Sequence, residues 1–210
     1  MQLSTMVEER VHSAAAVISS RDEKEIQRLI LTDYEVDDME VEIEEDCLKI
    51  LALHQPVASD LRFIIAVIKI NNEIERIADQ AVNIAIGVQH ITDCFNGNGF
   101  NFDNLDFDFA LMSEKTVTML KLSLDALVER DPAMARKVFI MDDEIDSMCS
   151  DAYVYVRDLL KSHPERPGCL INAFMLAKNL ERIGDRATNI AEEVIHLVEG
   201  TIVRNQESRA

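Results

Sequence analysis

The chain has 210 residues, 48% of them apolar, and 39 acidic against 21 basic side chains leave a formal charge of −18. Such a length and apolar content can bury a core without disulfides or a structural metal, and they argue against a disordered chain. The negative balance argues against a nucleic-acid binder, which needs a cationic footprint, and against electrostatic docking on anionic lipid. Taken in chain order, the apolar periodicity predicts a first helix over about Leu3 to Ser19. A second helix of roughly thirty residues follows Asp22, a suitable N-cap, and ends at His54. Pro56 punctuates the turn, and a third helix runs from about Val57 to Ile91. Residues 94–109 are rich in Asn, Gly and Asp and read as a linker, yet they carry five of the eight phenylalanines. The plainer reading packs these rings into the cleft between two bundles; the other makes them a docking surface. A helix over Ser113 to Glu129 comes next, then a second one N-capped by Asp131, with Pro132 at its first position, ending at His163. Beyond Pro164 and Pro167 a third helix spans Gly168 to Glu199, and residues 201–210 form a tail after Gly200. No segment alternates with period two.

The second half repeats the first. At a shift of 109, Asp33-Tyr-Glu-Val-Asp37 lies on Asp142-Asp-Glu-Ile-Asp146. At a shift of 106, Glu75-Arg-Ile-Ala-Asp79 lies on Glu181-Arg-Ile-Gly-Asp185. Internal duplication of a unit this long, with three helices in each copy, predicts an all-α fold of two tandem antiparallel three-helix bundles, over residues 1–93 and 110–200.

The duplicated segments hold the chemistry. Glu75 and Asp79 share one face of the third helix, at about 100° per residue, with Ile64, Ile68, Val82 and Ile86 close to the same stripe. The opposite side is apolar too, so the helix is expected to be buried nearly all round, with acids interrupting a core stripe. Ile26 and Ile30 precede Asp33 and Asp37 in the same way, as Val138 and Phe139 precede Asp142 and Asp146. One acidic i,i+4 pair is commonplace on a wet face; four pairs at equivalent places are not. If the two pairs of a bundle face each other, each like-charge contact at ~6 Å costs roughly 3 kcal/mol, so the carboxylates must be protonated, paired or bound to cations. Carboxylate-bridged metal ions answer this, and all-oxygen ligation suits Mg, Mn, Fe or Ca. The expected ligands are Asp33, Asp37, Glu75 and Asp79 in one half and Asp142, Asp146, Glu181 and Asp185 in the other. Asn83 and Asn189 continue the face and supply outer support, while Arg76 and Arg182 are placed to pair with Asp79 and Asp185. Glu40 and Glu44 extend the first stripe, but Cys149 and Tyr153 stand at their counterparts, so they read as ordinary surface acids. Ala78 and Gly184, small at matching positions, suggest a close helix approach and occupy the places where a di-iron redox enzyme would carry histidine. No phosphate loop, nucleophile motif or dinucleotide fingerprint is present, so no enzyme is expected.

Four cysteines, at positions 47, 94, 149 and 169, form no CxxC pair and no zinc-spaced cluster. Cys47 and Cys149 fall in helical patterns and read as small core residues; a reducing, cytosolic compartment fits best, although an even count leaves disulfides open. The longest apolar run, Phe63 to Ile68, is far short of the roughly 20 residues of a membrane span, and no signal pattern opens the chain.

The segment from Leu53 to Arg62 (LHQPVASDLR), the Glu75-Arg-Ile-Ala-Asp79 motif with Asn83, and the stretch from Glu181 to Glu192 (ERIGDRATNIAE) together resemble the PhoU family of phosphate-uptake and phosphate-signalling regulators. The resemblance implies multinuclear metal clusters on the [D/E]xxxD motifs, with Fe, Mn, Mg or Zn as the ion, and a homodimer. It further implies negative regulation of the phosphate-starvation response at a phosphate ABC transporter and a sensor histidine kinase, with the membrane reached only through those partners and no DNA contact. Three departures stand out: His54 where the family usually has arginine, Arg186 in place of a usual histidine, and an opening close to the first helix that implies a looser first turn. Two other readings remain open on the residues alone, a carboxylate-bridged metal hydrolase acting on phosphoesters and a metal-free helical scaffold.

Overall fold

Asp22 and Asp131 begin the second helix of each repeat in the same way. Asp22 accepts a hydrogen bond from the Lys24 amide at 2.9 Å, and Asp131 accepts from Ala133 at 2.8 Å and Met134 at 3.2 Å, with Pro132 as the next residue. Just before them Arg21 and Arg130, also matched between repeats, take left-handed backbone conformations with φ of 52° that close the first helix. The structure, a computed structural model, describes residues 2–95 and 105–201. Seven helices account for nearly all of them: α1 (Gln2–Ser20), α2 (Glu23–Leu31), α3 (Tyr34–His54), α4 (Ser59–Phe95), α5 (Phe109–Glu129), α6 (Pro132–Ser162) and α7 (Pro167–Glu199). No strand occurs among the described residues. The fold is all-α, two antiparallel bundles related by duplication.

The long helices α4 and α7 run antiparallel against each other along the middle of the molecule. Gly87 meets Leu176, Glu73 meets Arg186 and Asn189, Lys69 Nζ lies 2.7 Å from Glu193 Oε1, and Arg62 lies against Gly200. α2 and α3 pack on α4, α5 and α6 pack on α7, and α1 joins the halves by contacting both α4 and α5. One apolar core therefore runs through both repeats, from Leu3 and Val7 through Ile77 and Ile84 to Ile183 and Ile195. Leu3 and Val7 are buried, so the first turn is packed, not loose. Phe107 and Phe109 meet edge to face at 4.6 Å and pack on this core, while Phe100 and Phe102 lie outside the described residues. α4 extends through Phe95, so the connection is shorter at its front than the composition suggests. The tail beyond Thr201 also lies outside the described residues.

Two expectations about the helices need correction. The second helix of the first repeat is not continuous: it breaks at Thr32 and Asp33, where α6 runs without interruption. Arg10, reaching from α1, donates through Nη2 to the Thr32 carbonyl and, at 3.0 Å, to Thr32 Oγ1. That carbonyl then takes the Glu35 amide at 3.2 Å, and Val36 turns to Asp33 at 2.9 Å, which is the tighter i→i+3 pattern of a helix start. Second, α3 buries only Val36 and Cys47, whereas α6 buries seven residues from Ala135 to Val156. The first repeat's acidic stripe is accordingly wetter than expected, with Asp37 and Asp79 exposed. Of the disulfides that the even cysteine count leaves open, one forms, between Cys94 and Cys169 with Cα atoms 5.8 Å apart, while Cys47 and Cys149 are free and buried as expected. The antiparallel crossing of α4 and α7 brings together two cysteines that no local spacing connects.

Candidate metal centre

The second repeat gathers its acids. Asp142 and Asp146 stand one turn apart on α6, Asp185 comes from α7, and one oxygen from each lies within 4.8 Å of the others. Asp142 is 5% exposed because it shares its face with the buried residues Val138, Ile145 and Cys149. Its Oδ1 is buried without a hydrogen-bond donor, as are Asp146 Oδ1 and Glu181 Oε2. Gly184 lies beside it: a Cβ there would sit 3.4 Å from Asp142 Oδ1 and 3.5 Å from Met119 Sδ, ordinary contact distances. Glu181 does not join the group of three, since its Oε1 is taken by Lys178 one turn earlier on α7.

Electrostatics follow from this crowding. Burial, then the charges of Asp146, Asp185, Asp143 and Glu181, push the Asp142 carboxyl up to about 7. Burial, then Glu181 and Asp146, push Asp185 up to about 6 against the opposing pull of Lys178 and Arg186. Asp146 is raised by burial and then by Glu181. Burial and the same acids push the neighbouring Cys149 thiol up to about 11, so it is a neutral core side chain and not a thiolate ligand. Three carboxyl oxygens this close, with no donor on the innermost, are stable only when protonated or when a cation sits among them. An all-oxygen donor set of this kind fits a hard divalent ion such as Mg, Mn or Ca, or iron.

The first repeat places the same four acids near one another on different terms. Asp33 sits at the break between α2 and α3; its carboxyl is raised by burial, then by Asp37 and Asp79, and is pulled back by Arg10. Glu75 is raised by burial, then by Asp79, Asp37 and Glu40, and Asp79 by burial and then Asp37, with Arg76 easing both. Among the described residues, however, close grouping of three ligand oxygens occurs only in the second repeat. Arg10 is 6% exposed and sets its guanidinium 3.5 Å from Asp33 and 3.6 Å from Glu35.

The flanking residues divide. Asn83, Arg76 and Arg182 are exposed. Asn189 donates to Glu73 of α4 at 3.1 Å, and Arg186 pairs with the same carboxylate at 3.3 Å, so both join the repeats, and Arg186 also eases the charge of Asp185. Glu40, read from the sequence as a surface acid, is half-buried and raised by burial and then by Glu44 and Asp37. Arg10, Lys178, Glu73 and Glu40 were not singled out by the repeat pattern, because none is matched by a like residue in the other copy.

Fold and site together define an all-helical repeat protein with a close group of carboxylates where the second and third helices of its second repeat face each other. The chain belongs to the PhoU family: the PhoU domain matches residues 1–88 and again 109–194. It is 32% identical over 201 residues to a phosphate-specific transport system accessory protein PhoU homolog of Clostridium acetobutylicum, covering 95% of this chain and 89% of that one. The crystal structure of PhoU from Pseudomonas aeruginosa superposes with a TM-score of 0.87 at 30% identity, over 95% of this chain and 93% of that one. The phosphate transport system regulatory protein PhoU from Streptococcus pneumoniae shares the fold, with a TM-score of 0.81 at 24% identity, covering 97% and 93% of the two chains.

Proposed function

We propose that this protein is a metal-binding regulatory adaptor of phosphate uptake and of the phosphate-starvation response, working as a homodimer on a phosphate ABC transporter and a sensor histidine kinase. The names of its relatives, accessory proteins of phosphate-specific transport, support the regulatory side. The buried, donorless Oδ1 of Asp142 beside Asp146 and Asp185 supports the metal side. These three residues would hold the ion, and doing so would tie α6 to α7. Such an ion supplies positive charge that replaces the shared protons and can offer open coordination positions to other oxygen ligands. No helix among the described residues is long and apolar enough to cross a membrane, which agrees with reaching the transporter through protein contacts.

Tagged protein recovered from phosphate-replete and phosphate-starved cells should carry transporter subunits or the kinase in at least one condition. Recovery of neither in both conditions would sink the adaptor reading. Elemental analysis of the purified protein should find metal that is lost in Asp142→Asn. Equal metal in both proteins would sink the ligand assignment, and turnover of a phosphoester by the loaded protein would favour a hydrolase instead.

A further inference from the structure

The two acidic sites share a motif but not an inner wall. At the register that lays Asp33 on Asp142, Arg10 of α1 lies on Met119 of α5. Met119 is fully buried, and its sulfur and Asp142 Oδ1 converge on the same point above Gly184, at 3.5 and 3.4 Å. The innermost carboxylate of the second repeat thus has a neutral thioether in its neighbourhood and no donor. Its counterpart Asp33 also has no hydrogen-bond donor on Oδ1, but there a guanidinium almost wholly removed from solvent stands 3.5 Å away and supplies positive charge. Arginine keeps its charge when buried, and this one is fixed from a second side by the Thr32 carbonyl and hydroxyl. The second repeat has a cation of its own, Lys178, but it is on the rim, a third exposed, and engages Glu181, the acid outside the group of three. Arg10 puts its charge beside the counterpart of the innermost acid, whereas Lys178 puts its charge on the acid outside the group of three.

We propose that Arg10 is a resident counter-cation of the first acidic site, filling there the place that a metal ion takes in the second, so that the chain carries metal in its second half alone. The break of α2 from α3 belongs to the same device. Arg10 holds the Thr32 carbonyl at the interruption, and beyond it α3 is lightly packed, with Asp37 on α3 and Asp79 on α4 open to water. The inference rests on the metal reading above and can fail separately from it.

The test is manganese(II) loading of the full chain, dialysed to equilibrium and counted per polypeptide by elemental analysis. Wild type, Arg10→Met, Asp142→Asn and Asp33→Asn are compared. Arg10→Met places in the first repeat the residue that the second already has. We expect Asp142→Asn to lose at least ten-fold of the bound manganese, Asp33→Asn to lose none, and Arg10→Met to gain about as much again as wild type holds. Retention of about half the metal by Asp142→Asn, or loss of half by Asp33→Asn, would overturn the proposal while leaving the metal reading intact. No gain in a folded Arg10→Met would overturn it as well. Should Arg10→Met fail to fold, the two aspartate variants still decide. Wild-type protein that binds no manganese would remove the metal reading itself, and this proposal with it.

Discussion

With 5% of its surface exposed and no donor on Oδ1, Asp142 holds its proton in the metal-free protein up to a pH of about 7. In the unfolded chain an aspartate releases its proton near ~3.9. Between these values the folded chain binds a proton that the unfolded chain has lost, so the stability of the metal-free protein falls as pH rises through the window. Asp185, raised to about 6, adds to the slope in the lower part of the same range. For Asp142 the shift corresponds to a loss on the order of 4 kcal/mol at full ionisation. Urea unfolding in the presence of a chelator should therefore give a lower stability at pH 8 than at pH 5. Asp142→Asn, which leaves no charge to desolvate, should flatten that dependence and be the more stable protein at pH 8. Manganese(II) should restore wild-type stability at pH 8 and do little at pH 5, because it competes with protons for the carboxylates. Equal wild-type stability at the two pH values without metal would show that Asp142 is not held in its neutral form.

Two helix-interior glycines make opposite demands on the elements that carry them. Gly87 on α4 faces α7 so closely that an added Cβ would stand 2.8 Å from Cδ2 of the fully buried Leu176. Gly184 on α7 has no neighbour closer than 3.4 Å to the same added atom, which is ordinary contact. Alanine in a helix gains ~1 kcal/mol over glycine, whereas overpacking a core costs ~1–3 kcal/mol. Gly87→Ala should therefore lower the melting temperature by a few degrees and Gly184→Ala raise it slightly, since ~1 kcal/mol moves a chain of this size by ~2–4 °C. A pair of melting curves checks both; equal shifts would mean that α4 and α7 are not in the contact described. The helices themselves were legible in the sequence because their signals are local: apolar spacing, Asp22 and Asp131 as caps, Pro132 at a first turn, Gly200 at an end. The break at Thr32 was not legible. Its cause, Arg10, lies 22 residues upstream on another helix, and the apolar rhythm from Ile26 to Val36 continues across the gap.

For the molecule as a whole, duplication made the fold and the acidic pairs legible, because residues four apart on one helix share a face whatever surrounds them. Whether two such faces close on each other depends on which residues line them from elsewhere, and there the repeats differ: Arg10 against Met119, Lys178 against Asn72. The pairing of Cys94 with Cys169 was hidden for the same reason, since it follows from the antiparallel docking of the repeats and not from any spacing. That docking has two ends. At one, the disulfide closes a loop of 75 residues that contains α5 and α6. At the other, the equivalent positions under the repeat are Gly200 and Phe63, with Arg62 lying against Gly200 and Arg130 at 5.2 Å over the Phe63 ring and no covalent bond. Chain entropy assigns a bond across a loop of that length about 4 kcal/mol, against ~1 kcal/mol for an exposed cation–π contact. Oxidised protein should thus yield two titratable thiols after unfolding, from Cys47 and Cys149, and four after reduction. Reduction should lower the melting temperature by about 10 °C. Hydrogen exchange should find the 59–65 and 195–200 end of the α4–α7 pair opening first in the oxidised protein, with the 88–94 and 169–175 end gaining in exchange only when the bond is cut. Four thiols in the oxidised protein would sink the covalent tie, and protection that is equal at both ends before and after reduction would show that it does not govern how the repeats separate.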